Sequence, residues 1–248
     1  MRVDVIFGAA SVAPSDVAGK VVAVIDVLRA STSIATALGN GARAVIPMEG
    51  SEEVVTRSKQ FERSDVLLAG ERKMLAIPGF DLGNSPLQFT RDVVEGKTVL
   101  MTTTNGTPAI TATAGARDVV IASYVNFTAV LTMLRTALRG GTDITLICAG
   151  RDRQFALEDA GCAGRYVSNV IKRLTGVALS DAAQACALID RKYGENTLKL
   201  FEASEHGRAL RAAGFADDLA ACAAIDSYPV IPIFQDRQVT KLGPERER

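Results

Sequence analysis

Several stretches of this chain are apolar from end to end rather than at every second residue, and that constrains the fold more than anything else in the sequence. The β-rich runs are VDVIF from Val3, VVAVIDV from Val21, RAVIPM from Arg43, DVLLAG from Asp65, KTVLMTT from Lys97, DVVIAS from Asp118 and DITLICAG from Asp143. A strand with one wet face alternates, whereas a strand without alternation is covered on both faces. Ala-rich helical sequence separates the runs. The pattern predicts an α/β fold, layered helix–sheet–helix, with mostly parallel or mixed sheets. At 248 residues and 48% hydrophobic content, the chain suits one large unit or two halves sharing a core.

Helix starts are marked locally. Ser31 precedes an Ala/Leu helix, Ser51 precedes Glu52 and Glu53, and Ser85-Pro86 reads as a cap followed by proline at the first helical position. Asn105 and Asn126 are further cap candidates. Beyond about Ala156 the sequence turns mostly helical, which suggests subdomains near 1–150 and 151–235. One late strand, VIPIFQ, follows Pro229, and residues 236–248 read as a solvated tail.

Composition removes several classes of function. Lys plus Arg equals Asp plus Glu at 28 each, without the basic excess of a nucleic-acid binder. No apolar run is long enough to span a bilayer, and the N-terminus lacks a signal peptide's apolar core. Cys148, Cys162, Cys186 and Cys222 are widely spaced in apolar contexts and read as buried reduced thiols of a cytoplasmic protein. The single histidine, His206, excludes a three-histidine zinc site and weakens any Ser-His-Asp or Cys-His scheme. It sits in SEHGRAL, on an expected helix, and reads as surface or structural.

Four segments place polar residues where buried strands end, which is where open sheets bind ligands. In the first, Asp26 is followed by Arg29, Ser31, Thr32 and Ser33. A carboxylate there suits Mg²⁺, an arginine suits an oxyanion, and a helix start offers free N–H groups. The plain alternative is a helix cap beside a solvated arginine. In the second, Glu71-Arg72-Lys73 and the loop GFDLGNSP, with Asn84, make an electropositive lid or an ordinary surface loop. In the third, TTTNGT holds Thr104, Asn105 and Gly106 at another strand-to-helix joint, an oxyanion cradle or a capped helix; it lacks the Walker A lysine. In the fourth, Arg151 and the acids Glu158 and Asp159 open a helix, as metal ligands beside Asp26 or as acids at a helix dipole. Spacing alone yields an anion site with a place for Mg²⁺.

Taken in order, DVLRASTSIATALGNGA, GERKMLAIPGFDLGNSP, TTTNGT and CAGRDRQFALEDAGCAG resemble the 2-phosphosulfolactate phosphatase family, from about Val24 to Gly164. The resemblance implies two interlocked subdomains and Mg²⁺-dependent hydrolysis of 2-phospho-3-sulfolactate to 3-sulfolactate and phosphate, a step of coenzyme M biosynthesis. It implies Asp26 with Glu158 or Asp159 at the metal. It implies Arg29, Ser31, Thr32, Arg72, Asn84, Thr104, Asn105 and Gly106 at a substrate bearing phosphate, carboxylate and sulfonate. Relatives commonly carry a basic residue after NGT, where this chain has Pro108. Another small polyanionic phosphate ester is therefore the alternative substrate, and a non-catalytic sensor of an anionic metabolite is the alternative from another class.

The mechanism expected is direct attack by metal-activated water, with Asp26, Glu71 and Asp159 as the catalytic acids and Glu71 or Asp159 as base. Arg29, Arg72, Lys73 and Arg151 supply positive charge. Cys148 and Arg153 form C-x4-R, one residue short of the cysteine-phosphatase loop, and no D-x-D or R-H-G motif serves a phosphoenzyme. A homodimer is the expected assembly, because twofold closure is the commonest.

Overall fold

The computed structural model of the chain describes residues 1–152, 154–194 and 196–243. The elements in order are β1 (Arg2–Phe7), α1 (Pro14–Val17), β2 (Val21–Ile25), α2 (Ala30–Gly39), β3 (Ala44–Pro47), α3 (Ser51–Ser58), β4 (Val66–Arg72) and β5 (Leu75–Ala76). Next come α4 (Arg91–Val94), β6 (Thr98–Thr102), α5 (Gly106–Thr111), β7 (Asp118–Ala122), α6 (Phe127–Arg139) and β8 (Ile144–Cys148). The rest are α7 (Leu157–Val170), β9 (Ala178–Leu179), α8 (Asp181–Tyr193), α9 (Thr197–Ala203), α10 (Glu205–Ala212), α11 (Ala216–Ala223), β10 (Pro232–Gln235) and β11 (Gln238–Lys241). The expected α/β class and layering are those observed. Each of the seven early apolar runs forms a strand.

The strands form one mixed sheet in the order β5-β4-β6-β3-β11-β10-β7-β2-β8-β1-β9. β3, β6 and β4 run parallel to one another. β7, β2, β8, β1 and β9 form a second parallel group. The hairpin of β10 and β11 lies between them, antiparallel to β7 on one side and to β3 on the other. The two parallel groups therefore run in opposite directions. Residues 238–241, expected in a solvated tail, instead form a strand at the middle of the sheet, with Val239 fully buried against Val45. Residues 244–248 lie outside the described residues.

Strand β2 shows why its sequence does not alternate. Val21, Ala23 and Ile25 face one core, under α6, α7 and the helices that follow. Val22 and Val24 face a second core, shared with Val45 of β3, Leu67 of β4 and Val99 of β6. Residues from both parallel groups meet in that second core, so the sheet coils back on itself. Helix α2 lies inside the coil, buried from Ala30 to Leu38, against β3, β7, β10, β11 and α5. A helix made of Ala, Ser, Thr, Ile and Leu on all sides tolerates burial all round. The four cysteines are buried and unpaired, as expected.

Candidate active site

The coil brings the ends of β2, β4, β6 and β8 to one cleft of about 400 Å³. Asp26, Arg29, Glu71, Arg72, Lys73, Asn84, Thr104, Asn105 and Arg151 all line it. All four motif segments are thus represented in a common cavity. A larger cleft of about 700 Å³ lies between α3, the start of β7 and the β10–β11 turn, and contains none of these residues.

Asp26 follows the last residue of β2 and is 8% exposed. Burial is the main reason its carboxyl is pushed up to about 6; the charge of His206 opposes this, and those of Glu71 and Glu158 add to it. Helix α5 starts against this carboxylate. A Cβ added to Gly106 would stand 2.6 Å from Asp26 Oδ2 and 2.5 Å from the Ala30 Cβ. Gly106 therefore serves the site by being small, where the expectation was substrate contact.

Glu71 and Asp159, expected as bases, are both braces. Glu71 Oε1 accepts the Thr104 N–H at 2.8 Å and Oε2 accepts the Met74 N–H at 2.9 Å. Asp159 accepts the Val27 N–H at 2.9 Å and the Gly150 N–H at 3.1 Å, tying the loop after β2 to the loop after β8. Burial, with the nearby Asp26 and Glu158, pushes the Asp159 carboxyl well above the usual carboxylate range, against the pull of these two donors. Ser31 and Thr32, expected at the substrate, hold the same loop: Ser31 Oγ accepts the Asp26 N–H, and Thr32 Oγ1 donates to the Val27 carbonyl.

Arg29 also departs from expectation. Its Nη1 donates to Asp218 Oδ2 at 2.6 Å and its Nη2 to the Met74 carbonyl at 2.8 Å. Its guanidinium lies 4.4 Å from the centre of the Phe215 ring. Asp218 Oδ1 in turn accepts the Ser85 hydroxyl at 2.6 Å. The forked edge expected for an oxyanion is thus closed; of the cleft-lining side chains among the described residues, Arg29 Nε and Asn84 Oδ1 are buried without a partner. The remaining cations are at the rim. Arg72 and Lys73 are exposed; Arg72 Nη1 donates to the Glu71 carbonyl at 2.8 Å and its Nη2 to Thr102 Oγ1 at 3.1 Å, and Arg151 is part-buried and ion-paired with Glu205. Lys73 and Met74 form the two-residue turn between β4 and β5, with φ of 50° and 72°. Such left-handed backbone favours glycine or asparagine; here Glu71 and Arg29 pin it from both sides.

His206 and Asp218 are the residues that sequence reasoning missed. His206 lines the cleft, and its Nδ1 is 3.1 Å from Glu158 Oε1. Glu158, expected at the metal, is therefore engaged by the histidine that was expected to be surface or structural. No local motif announces either residue, since both reach the site only through tertiary packing of the helical third.

The donor set fits Mg²⁺ in a limited way. Asp26, Glu71, Glu158 and Asp159 are all more than nine-tenths buried; burial first, and the neighbouring carboxylates second, raise the Asp26 and Asp159 carboxyls, a cost that a bound cation would offset. Among the described residues no three His, Cys, Asp or Glu side chains converge as a metal cage. Mg²⁺ needs no such cage, because it commonly keeps its waters and takes one or two carboxylates plus substrate phosphate. Asp26 is the carboxylate left for that role.

Comparison with known proteins agrees with this geometry. A family model described as 2-phosphosulpholactate phosphatase matches residues 9–237. The chain belongs to the 2-phosphosulfolactate phosphatase family, a family of phosphoric monoester hydrolases. A probable 2-phosphosulfolactate phosphatase of Symbiobacterium thermophilum is 40% identical over 92% of this chain and 96% of its own length. Another, from Clostridium botulinum, is 35% identical over 98% of this chain and all of its own length. A third, from Caldanaerobacter subterraneus, is 37% identical over 90% of each. No helix among the described residues is long and apolar enough to cross a membrane.

Proposed function

We propose that this chain hydrolyses 2-phospho-3-sulfolactate to 3-sulfolactate and phosphate with Mg²⁺ as cofactor, in coenzyme M or sulfolactate metabolism. The observation that carries the reading is the polarity of the cleft: a buried Asp26 at the floor, and Arg72, Lys73 and Arg151 around the rim. A compact ester with three acidic groups needs that arrangement. Asp26 would hold Mg²⁺, which when bound supplies charge neutralisation at the phosphate oxygens. The rim cations orient the carboxylate and sulfonate. Thr104, fixed through Glu71, and its neighbour Asn105 close the phosphate side. Water is the nucleophile in this reading. Cys148 is fully buried and burial pushes its thiol well above the ordinary range, which leaves no thiolate to attack phosphorus.

A second reading has its own observation. Pro108 lines an adjoining cleft with Ala9, Ala10, Thr104, Asn105 and Ala149, and among the described residues no charged side chain lines that space. The position that is commonly basic in relatives adds no cation here, so a phosphate ester with one acidic group fewer is the alternative. The deciding experiment is phosphate release from 2-phosphosulfolactate, with Mg²⁺ and with chelator, for the wild type and Asp26→Asn. Release only by the wild type with Mg²⁺ supports the proposal. Release unaffected by chelator, or retained by Asp26→Asn, refutes it. Faster release from 2-phospholactate would move the substrate to the alternative.

A further inference from the structure

We infer that Lys73 is the specificity-determining residue of this site, selecting an ester whose C3 carries a sulfonate. This rests on the phosphatase reading and assigns, within it, one side chain to one group of the substrate. Among the described residues, the Lys and Arg side chains that line the active cleft are Arg29, Arg72, Lys73 and Arg151. Arg29 is buried and engaged by Asp218 and the Met74 carbonyl. Arg72 donates to the Glu71 carbonyl and to Thr102 Oγ1. Arg151 is paired with Glu205 and Asp152. Lys73 alone of the four has neither a hydrogen bond nor an ion pair from its side chain among the described residues.

The backbone under Lys73 points the same way. Its φ is 50° and that of Met74 is 72°, a region where glycine or asparagine costs less than a long side chain. The lysine side chain is exposed, so packing gains little from it. An unfavourable conformation held by a residue that packs little marks a role for its side chain. The turn is also rigidly based. The Met74 N–H donates to Glu71 Oε2 at 2.9 Å, and the Met74 carbonyl accepts Arg29 Nη2 at 2.8 Å. Glu71 is 7% exposed and Arg29 2%. The exposed ammonium thus stands on two buried braces, and a ligand that meets it does not have to order the turn first.

The substrate's shape decides which anionic group meets it. In 2-phospho-3-sulfolactate the carboxylate carbon is bonded directly to C2, whereas the sulfonate hangs from C3, one carbon farther out. With the phosphate at Asp26, Thr104 and Asn105, the longer arm extends toward the rim, where the β4–β5 turn carries Lys73. A carboxylate is planar and matches the fork of a guanidinium, which suits Arg72 and Arg151. A sulfonate is tetrahedral with three equivalent oxygens. An ammonium offers three rotatable donors and no preferred plane, which suits that geometry.

The test compares 2-phosphosulfolactate with 2-phospholactate, which differ only in the sulfonate. The quantity read is the ratio of their kcat/KM values in wild type, Lys73→Asn and Lys73→Arg, at low and high ionic strength. Asparagine suits left-handed backbone, so Lys73→Asn removes the charge without straining the turn. The wild type should prefer the sulfonated ester. Lys73→Asn should lower that preference about tenfold, mainly through KM. Lys73→Arg should retain more of the preference than Lys73→Asn. Salt should erode the wild-type preference and leave that of Lys73→Asn nearly flat. An unchanged ratio in Lys73→Asn, or an arginine variant no better than the asparagine one, overturns the role of Lys73 and leaves the phosphatase reading standing. A wild type that prefers 2-phospholactate overturns both Lys73 selection and the sulfolactate substrate. A wild type that cleaves neither ester brings down the phosphatase reading as well.

Discussion

Replacing Asp26 by asparagine should make the metal-free protein more stable at neutral pH while abolishing its activity. Burial pushes the Asp26 carboxyl from its ordinary 3.8 to about 6. A carboxyl raised in this way keeps its proton longer in the native state than in the unfolded chain. Between about pH 4 and pH 6 the native state is therefore the one that binds more protons, and stability falls as pH rises. Above about pH 6 the full penalty is present, roughly two pKa units at about 1.36 kcal/mol each, or about 3 kcal/mol. For a chain of this size, each kcal/mol moves Tm by about 2–4 °C. Asp26→Asn should then melt up to about 6–12 °C higher than wild type at pH 7.5 in chelator, and with no such gain at pH 4. Calorimetry at both pH values measures the difference. Added Mg²⁺ should raise the Tm of the wild type alone. An asparagine variant that is no more stable at pH 7.5, or that keeps the wild-type pH slope, would refute the reasoning.

Three further substitutions probe the braces. Gly106→Ala forces a methyl against Asp26 Oδ2 and Ala30; kcat should fall, with a stability loss of about 1–3 kcal/mol, read by phosphate release and urea unfolding. Asp218→Ala leaves the Arg29 guanidinium buried without its counter-ion and should cost about 3–5 kcal/mol, whereas an exposed pair such as Arg91–Glu95 should cost under about 1 kcal/mol in the same denaturation experiment. Glu71→Gln sets an amide N–H₂ against one of two backbone donors and should lower stability by about 1.5–3 kcal/mol. Its kcat should fall because Thr104 moves; full activity would show that the brace is dispensable.

Much of this fold was legible because burial on two faces leaves a direct mark on sequence. Val21 to Ile25 are all apolar since alternate residues serve different cores. The ends of those strands were legible as well: Asp26, Glu71, Arg72, Thr104, Asn105 and Arg151 do share a cleft. What spacing did not convey was the partner of each side chain. Arg29 beside Ser31 and Thr32 looks like an anion grip until Asp218, 189 residues away, is known to occupy it. His206 lies on a short helix whose local pattern carries no functional signal; its contact with Glu158 arises only when α10 packs near α7. β11 was hidden for another reason. Gln238-Val-Thr-Lys241 is short and polar, and as a strand it is stabilised by its neighbours β10 and β3 rather than by its own composition.

The placement of that last hairpin bears on how the molecule is born. While a ribosome has delivered only as far as α11, β3 and β7 each present a bare edge, and bare edges invite mispairing with other chains. The keystone between them arrives with Pro232–Lys241. Since the two walls of the catalytic groove stand on opposite sides of that keystone, a nascent chain would acquire its chemistry in one late step, after every helix of the described residues has been delivered.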